Sequence, residues 1–311
     1  MKIVVLKFGG TSIGSIHRIK KVARIVKSYT KKYRVIILSS AMSGTTNKLI
    51  DMSKKISDNF ADNEYDTLVS AGEQISCSLL AGQLIEDGIQ ARSLMAWQIP
   101  IITEGQHKYS RIKYIYKKRI LKFLNAGVVP VIAGFQGINK DLKITTIGRG
   151  GTDASAIMFA KFFKADRCVI YTDVEGVFTT DPNKLKKAKK IKNISYEEML
   201  EMASLGSKVM QPHSIQDARL NRINIEVKSS FLNKSGTLIT KKKNIINNKI
   251  ITGISSTEND SKITLLGVKD RPGIAASIFK PLSKNSINVD MVVQNISSNG
   301  CLLYTSDAAD E

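Results

Sequence analysis

MKIVVLKFGGTS, residues 1–12, joins a short apolar run to a lysine, an aromatic residue, two glycines and two hydroxyl side chains. The apolar run has the length and composition of a strand buried inside a sheet. Lys7 stands at its end and is followed by Gly9 and Gly10, so a positive charge lies beside backbone without side chains. Glycine permits the close approach of an anionic group, and the lysine supplies charge that neutralises it. The stretch therefore predicts a strand that ends at an anion-binding loop.

After this strand, short β-rich runs alternate with longer helical patterns as far as about residue 240. Ser195 and Glu198 form a capping box at the start of one helix, and Gly206 would end it. The alternation predicts an α/β fold, a mostly parallel sheet between two layers of helices. The predicted strands are 3–7, 35–39, 91–96, 129–133, 168–172 and 225–228, and the predicted helices are 17–29, 46–56, 70–86, 110–125, 153–163 and 196–205.

Two further glycine-bearing loops follow the first. TIGRGGTDAS (146–155) precedes a helical pattern and so places bare N–H groups at a helix N-terminus, where anions are favoured. YTDVEGVFTTDP (171–182) lies at the end of a predicted strand, where parallel α/β folds bind ligands. Each loop alone is also compatible with a plain turn. GxxxxGK[ST] and GxGxxG are both absent, which argues against a P-loop NTPase and a Rossmann dehydrogenase.

Taken together and in order, these blocks resemble those of the aspartokinases within the amino-acid kinase family. GSKVMQ (206–211) resembles their second lysine block, and 263–279 resembles the start of an ACT regulatory region. The resemblance implies an αβα sandwich of the amino-acid kinase fold, followed by a partial ferredoxin-like ACT unit. It also implies transfer of the γ-phosphate of ATP to the β-carboxylate of L-aspartate, the first step toward lysine, threonine and methionine. Glutamate 5-kinase or acetylglutamate kinase activity is the nearest alternative.

The resemblance implies roles for individual residues. Lys7 and Lys208 would contact the transferring phosphoryl group, and Asp153 would orient them. Arg149 would bind the α-carboxylate of the substrate, a task that suits a guanidinium, and Glu73 would bind its ammonium group. The other residues implied in ATP binding are Gly9, Gly10, Thr172, Asp173, Phe178 and Asp181, and those implied in substrate binding are Ser39, Thr46, Phe135, Gly150, Gly151 and Thr152.

Several of these residues have structural alternatives. Lys208 and Glu73 lie on predicted helices, where charged side chains usually face solvent. Thr46 precedes or begins a helix and would serve equally as its N-cap. Phe135 would serve as an ordinary core residue. Phe178 stands where the family commonly has a tyrosine, which leaves its nucleotide contact open.

The three histidines, His17, His107 and His213, all lie outside the glycine loops, so a histidine general base is not expected. A base is not needed for a carboxylate acceptor, because the aspartate side chain, with a pKa of about 3.9, is already ionised at neutral pH. Magnesium is implied by ATP. It usually keeps several waters, so no dedicated protein metal site is expected.

The formal net charge of +20 leaves a nucleic-acid binder as an alternative from another class. The densest basic runs, 184–192 and 241–243, contain no aromatic residues that would stack on bases, so we interpret them as solvated surface. Cys77, Cys168 and Cys301 show no metal or disulfide spacing. The sequence contains no apolar run long enough for a membrane span and no signal peptide, so we expect a cytoplasmic location.

The predicted domains are a catalytic domain at 1–240 and, at 241–300, a linker with the start of a truncated ACT domain. In an intact relative this region would bind a feedback amino acid, lysine or threonine, and support a homodimer, which is doubtful for the truncated chain. One βαβ half would leave an apolar face exposed or mispaired, and this face comprises Ile263, Leu265, Ile278, Phe279 and Leu282.

We expect 301–311, CLLYTSDAADE, not to belong to the fold, because the string matches the translation of a transposon-type sequencing adapter.

Overall fold

A computed structural model describes residues 1–148, 150–207, 209–242, 251–256, 260–268, 271–285, 289–296 and 302–309. The chain divides into two compact units, Met1–Ser255 and Ser256–Glu311. The elements of the first unit, in chain order, are β1 (Ile3–Phe8), α1 (Ile16–Thr30), β2 (Arg34–Ser39), α2 (Thr45–Ile56), α3 (Asp62–Glu86), β3 (Ala91–Leu94), β4 (Ile101–Glu104), β5 (Arg111–Ile115), α4 (Lys117–Asn125), β6 (Val129–Ala133), β7 (Gln136–Ile138), β8 (Ile144–Thr146), α5 (Gly151–Phe162), β9 (Arg167–Thr172), β10 (Asn193–Ser195), α6 (Tyr196–Ser204), α7 (Pro212–Asn221), β11 (Ile225–Ser229) and β12 (Thr237–Thr240).

Eight of the described strands form the main sheet, in the order β10-β12-β11-β9-β1-β2-β6-β3. Neighbouring strands are parallel except β11 and β12. At the centre, Phe8 of β1 pairs with Ser39 of β2 and with Tyr171 of β9. The carboxyl ends of these three strands are thus level, and the loops that follow them meet at one edge of the sheet.

Apolar side chains of β1 alternate between the two faces of this sheet. Val4, Leu6 and Phe8 belong to one core cluster, and Ile3 and Val5 belong to the other. Helices α1 and α3 pack against the first cluster, and α4 to α7 pack against the second. The predicted three-layer αβα arrangement is therefore confirmed.

The prediction of one helix over 110–125 is wrong in its first half. Arg111–Ile115 is strand β5, and the helix begins only at Lys117. Strand β5 belongs to a smaller sheet among the described residues, ordered β5-β4-β7-β8, which the sequence did not indicate. Ile112 and Ile115 are both buried, and their spacing of three residues is compatible with a helix or an irregular strand. The register shift in the pairing of β4 with β5 explains this spacing.

The second unit contains β13 (Asp260–Val268), α8 (Ile274–Lys284), β14 (Val289–Ile296) and β15 (Leu302–Ala309). Its sheet is antiparallel and ordered β13-β15-β14, so β15 lies between the other two strands. Backbone hydrogen bonds pair 302–309 with both neighbouring strands, and the adapter origin of 301–311 stays a prediction. Ile263 remains 46% exposed, and no residue of α8, which is described throughout, is fully buried. The other residues of the predicted apolar face are half-buried, so the face is only partly covered: Leu265, Ile278, Phe279 and Leu282.

The predicted capping box at the start of α6 is confirmed, since the Ser195 hydroxyl and the Glu198 carboxylate each accept from the other's backbone N–H. Cys77 and Cys168 are buried and free. Burial raises the pKa of the Cys77 thiol to about 12, so this thiol is inert. Among the helices described, none combines the length and the apolar character that crossing a membrane requires.

Candidate active site

Lys7 is largely covered at the carboxyl edge of the main sheet. Its Nζ lies 2.6 Å from Oδ1 of Asp153, and the two side chains are only 12% and 11% exposed. A Cβ at position 9 would lie 3.5 Å from this Nζ, so the glycine there leaves the ammonium group open on that side. The ion pair joins the end of β1 to the first turn of α5. Two residues predicted to act on the phosphoryl group are therefore in direct contact.

The loops after β1, β2 and β9 form one cluster. The N–H of Gly9 donates to the carbonyl oxygen of Tyr171 over 3.1 Å, and the N–H of Ser43 donates to that of Gly10 over 3.2 Å. A Cβ on Gly10 would lie 2.7 Å from the carbonyl oxygen of Ala41, so only glycine fits. The predicted nucleotide-binding glycines thus bring three strand ends together.

Glu73 projects from α3 into this cluster. Its Oε1 accepts from the N–H of Ala41 over 3.0 Å, whereas the buried Oε2 has no hydrogen-bond partner among the described residues. The residue is 4% exposed, and this burial raises the pKa of the carboxyl group to about 8. The alternative that Glu73 faces solvent is therefore wrong. A buried carboxylate with one free oxygen provides a site for a cationic group.

Ser39 and Thr46 lie beside the same loops. Ser39 is fully buried at the end of β2, and its hydroxyl contacts that of Ser76 over 3.1 Å. Thr46 lies within the first turn of α2, whose N-cap is Gly44 with a φ of 81°. The alternative role of Thr46 as an N-cap is therefore wrong, and no described side chain caps this helix.

Phe135 adopts the left-handed conformation, with a φ of 64°, and this costs a non-glycine residue about 1–3 kcal/mol. Its N–H donates to the Ser155 hydroxyl over 3.2 Å, and its carbonyl accepts from the N–H of Ile147 over 3.0 Å. It is only half-buried and belongs to neither described core cluster, so the core alternative is not supported. A Cβ on Gly151 would lie 2.8 Å from its ring, and Thr152 packs against Gly134.

The start of α5 has the features of an anion site. Its N-cap is Gly150, with a φ of 72°, and no described side chain caps the helix. The N–H groups of Gly151 and Asp153 donate to the carbonyl oxygens of Gly148 and Gly150, each over 2.9 Å, so the start of α5 offers an anion the partial positive charge of a helix N-terminus rather than a set of free amides. Gln211 packs directly against Gly150, which brings the second lysine block next to this loop. Lys208 and Arg149, two of the predicted site residues, lie outside the described residues.

The predicted nucleotide residues after β9 lie on one loop. The Thr172 hydroxyl donates to Oδ1 of Asp173 over 3.0 Å, and Asp173 is exposed at the strand end. Phe178 forms an isolated β-bridge with Lys190. Asp181 is exposed and its Oδ1 accepts from the N–H of Asn183 over 2.8 Å, so the two acidic side chains predicted to contact the nucleotide, Asp173 and Asp181, remain accessible.

A buried polar cluster near this edge was missed from the sequence. Asp66 of α3 has a fully buried side chain and contacts His107, Lys108 and Thr146. Its spacing of seven residues from Glu73, which places both on one face of a helix, was the available signal. The partners of Asp66, however, lie 41 to 80 residues further along the chain.

Comparison with known proteins identifies the family. The profile of the amino acid kinase family matches residues 2–229, and that of the ACT domain matches 263–303. The chain belongs to the amino acid kinase family. The resemblance to aspartokinases is also confirmed: the aspartate kinase of Pseudomonas putida is 44% identical over 307 residues, which are 98% of this chain and 75% of that protein.

Solved structures of amino acid kinase family members agree with the fold. Escherichia coli aspartokinase III in complex with aspartate and ADP superposes with a TM-score of 0.84 at 26% identity, over 100% of this chain and 79% of that one. The same enzyme with lysine and aspartate gives 0.82 at 27% identity, over 98% and 79%. This chain therefore spans about three quarters of the length of its aspartokinase relatives.

Proposed function

We propose that the chain is an aspartate kinase, which transfers the γ-phosphoryl group of ATP to the β-carboxylate of L-aspartate and forms 4-phospho-L-aspartate. The observation that carries this proposal is the largely covered Lys7–Asp153 pair at the glycine-lined edge where three strand ends meet. Phosphoryl transfer needs positioning and charge neutralisation more than covalent chemistry. A buried ammonium group, held by one carboxylate and open toward Gly9, suits that task.

The phosphoryl group would lie between Lys7 and the uncapped start of α5. Asp153 holds the Lys7 ammonium group in place, and the helix amides add partial positive charge. Lys208 would approach from the block that ends at Gln211, which packs on Gly150. Thr172, Asp173, Phe178 and Asp181 would contact the nucleotide from the loop after β9.

The substrate would place its ammonium group at the free Oε2 of Glu73. Its arrival supplies the positive charge that favours ionised Glu73. Arg149 would bind the α-carboxylate. The pocket would be lined by Thr46, Phe135, Gly151 and Thr152, and the buried Ser39 would pack behind these residues. Lys7 would hold the phosphoryl group and Glu73 the ammonium end of the substrate, so the β-carboxylate would lie in line with the phosphoryl group.

Magnesium would be carried by ATP rather than by a protein cage. Among the described residues, no group of three or more acidic, histidine or cysteine side chains could hold a metal ion. An ion bound chiefly by phosphate oxygens and waters would neutralise charge on the β- and γ-phosphates.

The domain roles belong to the same proposal. Residues 1–240 would carry catalysis, and the ACT region would bind a feedback amino acid. Lysine is the first candidate, because the related aspartokinase III was solved with it. In an intact relative the ACT region would also support a homodimer, and a cytoplasmic location, where ATP is available, completes the proposal.

A coupled assay of ADP release tests the function. We expect turnover with aspartate and none with glutamate or N-acetylglutamate at matched concentrations. Lys7→Ala should lower kcat by roughly a thousandfold while the protein still melts cooperatively, because a charge that stabilises the transition state is lost. Preferential use of glutamate or N-acetylglutamate, or near-normal turnover by Lys7→Ala, would overturn the assignment.

A further inference from the structure

Asp66 is a buried carboxylate whose two oxygens are both used. Oδ2 lies 2.6 Å from Nδ1 of His107, and Oδ1 accepts from the Thr146 hydroxyl over 2.5 Å. The N–H of Lys108 lies 3.1 Å from both oxygens. Because a carboxylate only accepts, Nδ1 of His107 carries the proton in this contact. These contacts compensate the burial of the charge.

The partners of Asp66 come from two segments that are distant in sequence. His107 and Lys108 lie in the loop between β4 and β5, and Thr146 is the last residue of β8. Lys108 has a φ of 68°, a left-handed conformation that is costly for lysine. The double contact of its N–H with Asp66 holds this conformation. We call Asp66, His107, Lys108 and Thr146 the Asp66 clamp.

The clamp acts on the loop that carries residue 149. Thr146 precedes that loop directly, and its carbonyl also accepts from the N–H of Ser110 over 3.0 Å. A Cβ on Gly148 would lie 3.0 Å from the carbonyl oxygen of Lys108, so the clamp backbone packs tightly against the loop. On its other side, the loop is fixed by the bond from Ile147 to Phe135. The loop is thus held between two strained residues.

We propose that Asp66 and His107 are positioning residues for aspartate binding, because they hold residues 146–148, from which the chain continues to Gly150, Gly151 and Thr152 of the proposed substrate pocket. This inference rests on the proposed function. Among the described residues the clamp makes no hydrogen bond or ion pair with Lys7 or Asp153, so it should affect aspartate binding far more than ATP binding or the chemical step. That selectivity separates a positioning role from a general contribution to stability.

Thr146→Val and Thr145→Val form a matched pair. Both threonines are 1% exposed and hydrogen-bonded, but Thr145 contacts Thr103 over 2.6 Å and not Asp66. Each valine removes one buried hydroxyl, so both variants should melt at similarly lowered temperatures. Only Thr146→Val should raise the KM for aspartate, by about tenfold, with the KM for ATP and kcat changed less than about twofold. Equal aspartate KM values in the two variants would overturn the proposal.

A second pair tests the histidine. His107→Asn keeps a donor near the position of Nδ1, whereas His107→Leu removes it. The asparagine should retain an aspartate KM within about threefold of the parent, and the leucine should raise it by about tenfold. The reverse order, or no difference, would contradict a role for His107 in positioning.

Hydrogen exchange at the amides of 147–152 separates this inference from the proposed function. It measures the loop without any substrate. Faster exchange in Thr146→Val than in Thr145→Val supports the clamp even if the parent chain turned over no aspartate. Equal exchange in both variants excludes the clamp even if the aspartate kinase assay succeeds.

Discussion

Asp66 and Glu73 lie two turns apart on one face of α3, roughly 10 Å apart along the helix axis, yet their surroundings differ. Both residues are buried, at 0% and 4% exposure. Asp66 has partners on both oxygens, from other segments of the protein. Glu73 accepts from the Ala41 amide through one oxygen only, and burial raises its pKa to about 8.

The contrast separates two uses of a buried carboxylate. When both oxygens of a buried carboxylate are hydrogen-bonded, a unique arrangement of the surrounding loops is favoured, so Asp66 organises structure. A buried carboxylate oxygen without a hydrogen-bond partner costs folding free energy but can bind a ligand, so Glu73 fits a binding role. The variants below should therefore separate loss of stability from loss of substrate binding.

Glu73→Gln should have the largest effect on binding. The amide cannot supply the charge that pairs with a substrate ammonium group, so we expect the KM for aspartate to rise by about thirtyfold to a hundredfold. Stability should be retained, because an incompletely paired acid is replaced. Steady-state kinetics and thermal melting measure both quantities. An unchanged aspartate KM would remove Glu73 from the substrate site.

Asp66→Asn should lower stability as well as aspartate binding, unlike Glu73→Gln. Its amide places a donor where the parent accepts from several groups, so we expect unfolding free energy to fall by about 2–3 kcal/mol. Urea titration at neutral pH measures this loss. Asp62→Asn is the control, because its pair with Lys108 is on the surface and should contribute at most about 1 kcal/mol. Equal losses of unfolding free energy in the two variants would show that the buried contacts of Asp66 contribute no more to stability than a surface ion pair.

Aspartate affinity should depend on pH through Glu73. With a pKa of about 8, Glu73 is mostly protonated at neutral pH and becomes ionised as pH rises. The ammonium group of the substrate binds the ionised form, so apparent affinity should increase roughly tenfold from about pH 6.5 to about pH 8. Glu73→Gln should lack this rise. A falling or flat profile for the parent protein would contradict the assigned role.

Ser195→Ala should have the smallest effect. The capping box is fully partnered and lies at the start of α6, so its loss should lower unfolding free energy by about 1 kcal/mol. Both KM values should stay the same. A change in the KM for aspartate would show that a fully hydrogen-bonded helix cap also influences substrate binding.

Local sequence was sufficient for much of the fold. The strand 129–133 was predicted with its observed ends, because continuous apolar runs are typical of strands buried on both faces. The capping box at Ser195 was likewise predicted, since its two residues are three positions apart. Where the pattern was ambiguous, at Arg111–Ile115, a strand of the smaller sheet was taken for helix.

The sequence by itself determined the order of strands and helices, the glycine loops and, through resemblance, the names of the site residues. Only the tertiary structure decided that Lys7 contacts Asp153, that Glu73 keeps a free oxygen, and that Asp66 joins His107 to Thr146. The physical reason is the separation along the chain of the groups that interact. Strand and cap preferences arise between neighbours in the chain, whereas burial and charge pairing depend on groups brought together from distant segments.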